Sequence, residues 1–319
     1  MIVLSEHDVR RLLDMESCIQ AMADVLAALA RGEVFQPLRS IVTPEGAPGL
    51  FGLMPAYRGG PNALYALKEI VITPDNPQRG LDAHQGAVLL HDGETGELIA
   101  VLNASPITEI RTAAVSAVAT RALARPGAKR VAILGAGVQA RAHVRAMRAV
   151  LDDPEIRIWA RRLEAAEALA AEVGATVAPS ADAALFGADI VCTTTSAREP
   201  IVERRWLARG AHVNAVGFAL GGRELDTETV AASSFFVDRR ESALNEAGDY
   251  LLAAAEGAVG PEHIQAELGE VLAGLHPGRR SEDELTVFES VGIAAEDLAA
   301  AELVVRRARA EGAGVEVAF

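Results

Sequence analysis

Apolar positions along the chain fall into two regimes. Between residues 50 and 104 they come as short runs, LFGLMPAYR, ALYALKEIVIT and GAVLLHD, and HDGETGELIAVLNA reads as a hairpin turning over residues 92–96. No helical pattern separates these strands, so they should pair in one mixed or antiparallel sheet. From Arg130 onward the pattern changes. The runs at 131–134, 156–160, 188–194, 211–217 and 234–238 alternate with helical spacing such as LEAAEALAAEV. Apolar runs of this kind are buried on both sheet faces, and their alternation with helices predicts a doubly wound parallel sheet. Ser5 can cap a first helix, and residues 14–33 have helical apolar spacing. A helix over 108–124, stopped by Pro126-Gly127, should connect the halves, and 294–312 should be a long helix packing back on the N-terminal part.

The second regime opens on RVAILGAGVQARAH (130–143), a β-branched apolar run, a glycine turn and the start of a helix. Gly135 suits a turn that other residues would strain, and Gly137 lets a ligand approach the backbone with no Cβ in the way. Ala140 stands where close helix–strand packing needs a small residue. Free N–H groups at the helix start then suit a pyrophosphate, which makes the stretch a dinucleotide fingerprint in its proper context. At the end of the next strand an Asp or Glu would bind the ribose 2′-hydroxyl of NAD, whereas arginine accommodates the 2′-phosphate of NADP. The chain has Ala160 there, followed by Arg161 and Arg162. NADP(H) is therefore favoured over NAD(H), unless the two arginines are merely solvated at a helix start. Thr193, Thr194 and Thr195 end a strand at the carboxyl edge, where cofactor contacts cluster.

With 319 residues, half of them apolar, the chain has material for about two domains. A net charge of −14 argues against nucleic acid or an anionic membrane as partner. Two cysteines, Cys18 and Cys192, give no disulfide framework and fit a reducing cytoplasm. There is no signal-like apolar core at the start and no uncharged run long enough to span a bilayer. The seven histidines lack the paired spacing of a metal site.

Several stretches together resemble the ornithine cyclodeaminase/mu-crystallin family, which includes ketimine reductases and an alanine dehydrogenase branch. They are RGLDAHQGAVLLHDGETGEL, ITEIRTAAVSAVATRALAR, ILGAGVQARAH, AELGEVLAGLHPGR and LTVFESVGIAAEDLAAA, which between them span most of the chain. The resemblance implies an NAD(P)-linked reaction at an amino- or imino-acid carbon and a homodimer built through the N-terminal sheet. It also implies an α/β fold in which a Rossmann domain, residues 113–294, is inserted in an α+β substrate-binding and dimerisation domain, residues 1–112 plus 295–319. Read alone, Lys68 is equally well a strand-edge lysine reaching solvent, and Arg111 a surface or helix-dipole contact. The resemblance instead places Arg39, Lys68 and Arg111 at a small substrate carboxylate, where charge-assisted and partly bidentate bonds would hold it. It further implies that Val138, Gln139, Gly217, Arg223 and Ser290 face the cofactor and that Val291 lies near the substrate, although each could be simple packing.

Two departures bear on the reaction. The cyclodeaminase branch follows NAVG with a pair containing the catalytic aspartate, where this chain has Phe218-Ala219. It also carries glutamate in ELMP, where this chain reads Gly52-Leu53-Met54-Pro55. Neither carboxylate has an obvious substitute, although the shorter loop could displace Glu224 or Asp226 toward that place. The expectation is an NAD(P)H-dependent reductase of a small α-imino acid, with Lys68 and Arg111 as the catalytic pair. The alternatives are an ornithine cyclodeaminase, or an NADP-dependent binding protein without turnover.

Overall fold

The computed structural model describes residues 1–219 and 221–318. The chain divides into two compact units, Met1–Arg111 with the segment from Ile293 onward, and Thr112–Gly292. It begins with β1 (Ile2–Leu4), α1 (Glu6–Leu12) and α2 (Met15–Ala30). Ser5 and Asp8 form a capping box at the first helix, and Asp14 caps the second by accepting the Ser17 N–H at 2.9 Å. β2 (Val34–Phe35), β3 (Ser40–Val42), β4 (Leu50–Arg58), β5 (Leu64–Ile72), β6 (His84–Asp92) and β7 (Leu98–Asn103) follow. The connecting helix α3 runs over Ala104–Leu123 and so starts a turn earlier than its spacing predicts. Asn103 caps it there, its Oδ1 accepting the Ser105 N–H, and Pro106 fits a first turn whose N–H groups have no helical partner anyway.

The second unit alternates as expected: β8 (Arg130–Leu134), α4 (Val138–Val150), β9 (Glu155–Trp159), α5 (Leu163–Val173), β10 (Thr176–Val177), α6 (Ala181–Leu185), β11 (Ile190–Thr193), β12 (His212–Ala215), α7 (Thr227–Ala231) and β13 (Ser234–Val237). The helical stretch after β13 is two helices, α8 (Arg240–Glu246) and α9 (Gly248–Ala255). Then come β14 (Ile264–Glu267), α10 (Leu268–Leu272) and β15 (Thr286–Glu289). The chain returns to the first unit with α11 (Ala294–Glu311), stopped by Gly312 in the left-handed region, and β16 (Val315–Glu316).

The sheet of the first unit has the order β16-β1-β7-β6-β5-β4-β2, with β3 also on β4, and is antiparallel except where β1 meets β7. Strict alternation puts Gly52, Met54, Ala56, Ala66, Lys68, Ile70, Val88 and Leu90 on one buried face, which α11 covers. The other face carries Phe51, Leu53, Tyr65, Leu67, Val71, Ile99 and Val101, and Tyr65 and Val71 remain 50% and 42% exposed. The sheet of the second unit, β10-β9-β8-β11-β12-β15-β13-β14, is parallel throughout. Its first six positions follow the doubly wound dinucleotide-binding order. β11, β12 and β15 are buried along their full length, as a sheet covered on both faces requires.

Candidate active site

In the first unit a lysine is buried among charges. Lys68 is 2% exposed and lies on the covered face of β5. It is therefore not a strand-edge lysine reaching solvent. A buried ammonium needs a counter-charge, and Lys68 Nζ finds Asp297 Oδ2 at 2.7 Å. Arg111, in the third turn of α3 and 5% exposed, donates from Nε to Asp297 Oδ1 at 3.1 Å and from Nη1 to Glu296 Oε2 at 2.8 Å. It is thus neither a surface group nor a helix-end contact. Glu296 and Asp297 are buried in the first turn of α11, where the helix dipole favours acids. Gln36, also buried, accepts the Ala295 N–H at 2.7 Å and ties the segment leading to Arg39 to the same helix start.

These charges tune one another. Burial pushes the Lys68 ammonium down to about 8; the Asp297 carboxylate works against that fall, and the charges of Arg111 and Arg39 add to it. Arg39 is thereby placed within electrostatic reach of Lys68. His84, the first residue of β6, is held below its ordinary value by burial and by Lys68 and Arg111. An arrangement of this kind can bind an anion through several donors, and it keeps an ammonium poised to lose its proton near neutral pH.

In the second unit the glycine turn has the geometry of a dinucleotide cradle. Gly135 has φ +127°, and a Cβ there would stand 2.5 Å from Thr194 Oγ1. At Gly137 nothing lies within 4 Å of where a Cβ would project. Gly137 is also the N-cap of α4 and offers no side-chain acceptor, a helix start that suits a pyrophosphate. Val138, 48% exposed, begins the helix beside this space, and the Gln139 carbonyl accepts from His143 Nδ1 inside it. Arg161 and Arg162 are exposed between β9 and α5, at the position that reads the ribose 2′-substituent. A nicotinamide dinucleotide fits these residues.

The remaining sequence candidates separate. Thr195 and Gly217 meet at one carboxylate, because Glu224 accepts from Thr195 N (2.8 Å), Thr195 Oγ1 (2.6 Å) and Gly217 N (2.8 Å). Ser290 is buried and its N–H bonds to the Ala215 carbonyl, while Val291 packs on the core of this unit. Arg223 contacts Thr227 Oγ1 at 2.9 Å and Glu256 Oε1 at 3.0 Å. Asp226 caps α7 and also accepts the Arg204 N–H. Both carboxylates that could stand in for the cyclodeaminase aspartate are thus engaged structurally. Phe218 follows Gly217 half exposed, and Gly52 puts no carboxylate on the face it shares with Lys68.

Sequence reasoning missed Glu296, Asp297 and Gln36. The available signal was Lys68 itself: a cation in an apolar strand demands a buried acid somewhere. AAEDLAAA holds one such pair, but two acids in a helix's first turn have an ordinary dipole explanation.

Comparison with known proteins agrees with this geometry. The model of the ornithine cyclodeaminase/mu-crystallin family matches residues 1–312. The chain is 42% identical over 276 residues to the ketimine reductase mu-crystallin of Mus musculus, covering 86% of this chain and 85% of that protein. It is 36% identical to a delta(1)-pyrroline-2-carboxylate reductase of Bacillus cereus, with both chains covered in full. Among solved structures, delta(1)-pyrroline-2-carboxylate reductase of Thermococcus litoralis, in complex with NADH and L-proline, superposes with a TM-score of 0.95. That pair is 36% identical, and the match covers 99% of this chain and 100% of the other.

Proposed function

The chain belongs to the ornithine cyclodeaminase/mu-crystallin family, and within it we propose an NAD(P)H-dependent reductase of a small cyclic α-imino acid. The observation that carries this reading is the buried set Lys68, Arg111, Asp297 and Glu296, with Arg39 in reach. A bound reduced nicotinamide supplies hydride chemistry. Lys68, Arg111 and Arg39 hold the substrate carboxylate, which fixes the imine carbon relative to the protein. Lys68, its ammonium weakened by burial, hands a proton to the imine nitrogen and regains it from solvent. Residues 113–294 bind the dinucleotide, and residues 1–112 plus 295–319 bind the imino acid. The test is cofactor oxidation in the presence of Δ1-pyrroline-2-carboxylate and its six-membered-ring homologue. No oxidation of either NADPH or NADH with either imine sinks the reading.

The cofactor preference rests on Arg161 and Arg162. NADPH is expected to bind more tightly than NADH. Replacing both arginines with alanine should weaken NADPH alone, by about 1–3 kcal/mol for lost charge-assisted hydrogen bonds. Fluorescence titration of both dinucleotides reads this out, and equal affinities in the unaltered protein would refute it.

The apolar outer face of the first sheet carries the expected homodimer, because the exposed side chains of Val42, Tyr65 and Val71 gain from a second copy of the same face. Light scattering at micromolar concentration should give twice the chain mass, and Tyr65→Glu should shift the population toward monomer. A monomeric unaltered protein would exclude the dimer.

A further inference from the structure

Glu224 lies in the sequence where a replacement base was sought, yet its surroundings give it another task. Its main chain is fixed on both sides. The Glu224 and Leu225 N–H groups donate to Asp249 Oδ1 at 2.8 and 2.6 Å, and the Glu224 carbonyl accepts from Ile201 and Val202. The side chain, 2% exposed, then reaches the carboxyl edge of the parallel sheet. One oxygen takes both Thr195 donors and the other takes the Gly217 N–H. Thr195 follows β11 and Gly217 follows β12, adjacent strands in register from Ile190↔His212 to Thr193↔Ala215. A single carboxylate therefore cross-links the exits of two neighbouring strands, at the edge where dinucleotides bind in such sheets. The fit is tight: a Cβ at position 217 would stand 2.2–2.4 Å from the Glu224 carboxylate, so only glycine is compatible with the bridge.

We propose that Glu224 is a positioning residue for the cofactor: it holds the loops after β11 and β12 in the one arrangement that receives the nicotinamide half. It touches no reacting atom. The Thr195 and Gly217 donors occupy both of its oxygens, and burial together with the Asp249 charge pushes it up to about 7, so the brace is fully charged only above that pH. The inference rests on the proposed cofactor site and adds to it the element that shapes that site. A carboxylate is required chemically, since all three partners are donors. The amide of Glu224→Gln can satisfy Thr195 with its oxygen, but it then turns an NH2 group toward the Gly217 N–H.

The experiment compares the unaltered protein with Glu224→Gln and, by an independent route to the same contact, Gly217→Ala, whose methyl displaces the carboxylate. Dissociation constants for NADPH and NADH are measured by fluorescence, with steady-state constants for the imine alongside. Expected are cofactor dissociation constants raised at least about 10-fold in both variants, an imine KM within about twofold of normal, and variants that stay fully folded without cofactor at the assay temperature despite a lower melting temperature. The double variant should be no worse than the worse single one, because both break one bridge. Unchanged cofactor affinity with reduced kcat would overturn the proposal and make Glu224 an acid/base group. Lost affinity that is accounted for by loss of the cofactor-free folded state at the assay temperature would overturn it in favour of a purely structural role. If the unaltered protein binds neither dinucleotide, the proposed function itself fails; if it binds them and the variants bind equally well, only the positioning role fails.

Discussion

Lys68→Ala is expected to lower kcat/KM for the imino acid by at least ~100-fold, about 2.7 kcal/mol of transition-state stabilisation. Two losses combine in that figure: a charged partner for the substrate carboxylate, and a proton donor for the imine nitrogen. The variant also strips the buried Asp297 carboxylate of its Lys68 partner and leaves it beside Arg111 at 3.1 Å. Removing one partner of a buried pair costs about 3–5 kcal/mol of stability, so lost activity alone would be ambiguous. Lys68→Met combined with Asp297→Asn separates the effects, because it removes the stranded charge with the lysine. Its melting temperature should recover toward normal while kcat/KM stays at least ~100-fold down. Near-normal turnover in the folded double variant would return Lys68 to a packing role. The pH profile gives a second check. Lys68 is pushed down to about 8, so it is charged below that pH and neutral above it. Activity should therefore fall as pH rises through about 8, and a profile flat to pH 10 would remove Lys68 from the proton transfer.

The second large effect is a discrimination between reactions. Given ornithine and catalytic amounts of NAD(P), the protein is expected to release neither ammonia nor proline at a rate above background. Cyclodeamination must oxidise an amine and then move protons as the side-chain nitrogen adds and ammonia leaves, which calls for a positioned acid/base at the reacting centre. A missing group of that kind costs about 10²–10⁴-fold. Where the cyclodeaminase pattern has its aspartate, this chain has half-exposed Phe218 and Ala219. Asp226 is committed to the α7 cap and Glu224 to Thr195 and Gly217. Reduction of a preformed imine asks only for an oriented hydride, a bound carboxylate and one proton. Sustained release of ammonia and proline together would overturn the reductase reading.

The architecture was largely legible because periodicity reports it directly. The switch from alternating strands to strand–helix repeats at Arg130 marks the change of sheet, and the caps at Ser5, Asp14 and Gly312 lie where their side chains or backbone demand. The glycine turn was legible for the same local reason. What stayed hidden is long-range pairing. Arg111 meets Asp297 across 186 residues of chain and Gln36 meets Ala295 across 259, and no local pattern encodes such a meeting. Periodicity assigns Lys68 to a strand face, but only the packing of α11 over β5 decides that the face is buried and acidic. Glu224 drew notice only through its place in the sequence, and the donors of Thr195 and Gly217 that meet its carboxylate come from strand ends 29 and 7 residues away.

The acids at the start of α11 have an arithmetic consequence for selectivity. Among the residues of the proposed carboxylate site and their ion-pair partners, Arg39, Lys68 and Arg111 are three cations and Glu296 and Asp297 two anions. One positive charge is left over. A ligand bearing a single carboxylate brings that neighbourhood to electroneutrality, the least costly state for groups removed from water. A dicarboxylate would leave an uncompensated anion beside two fixed ones, and a neutral cyclic imine would leave an unmatched cation. On the proposed reading, a single carboxylate is the ligand charge that these residues match.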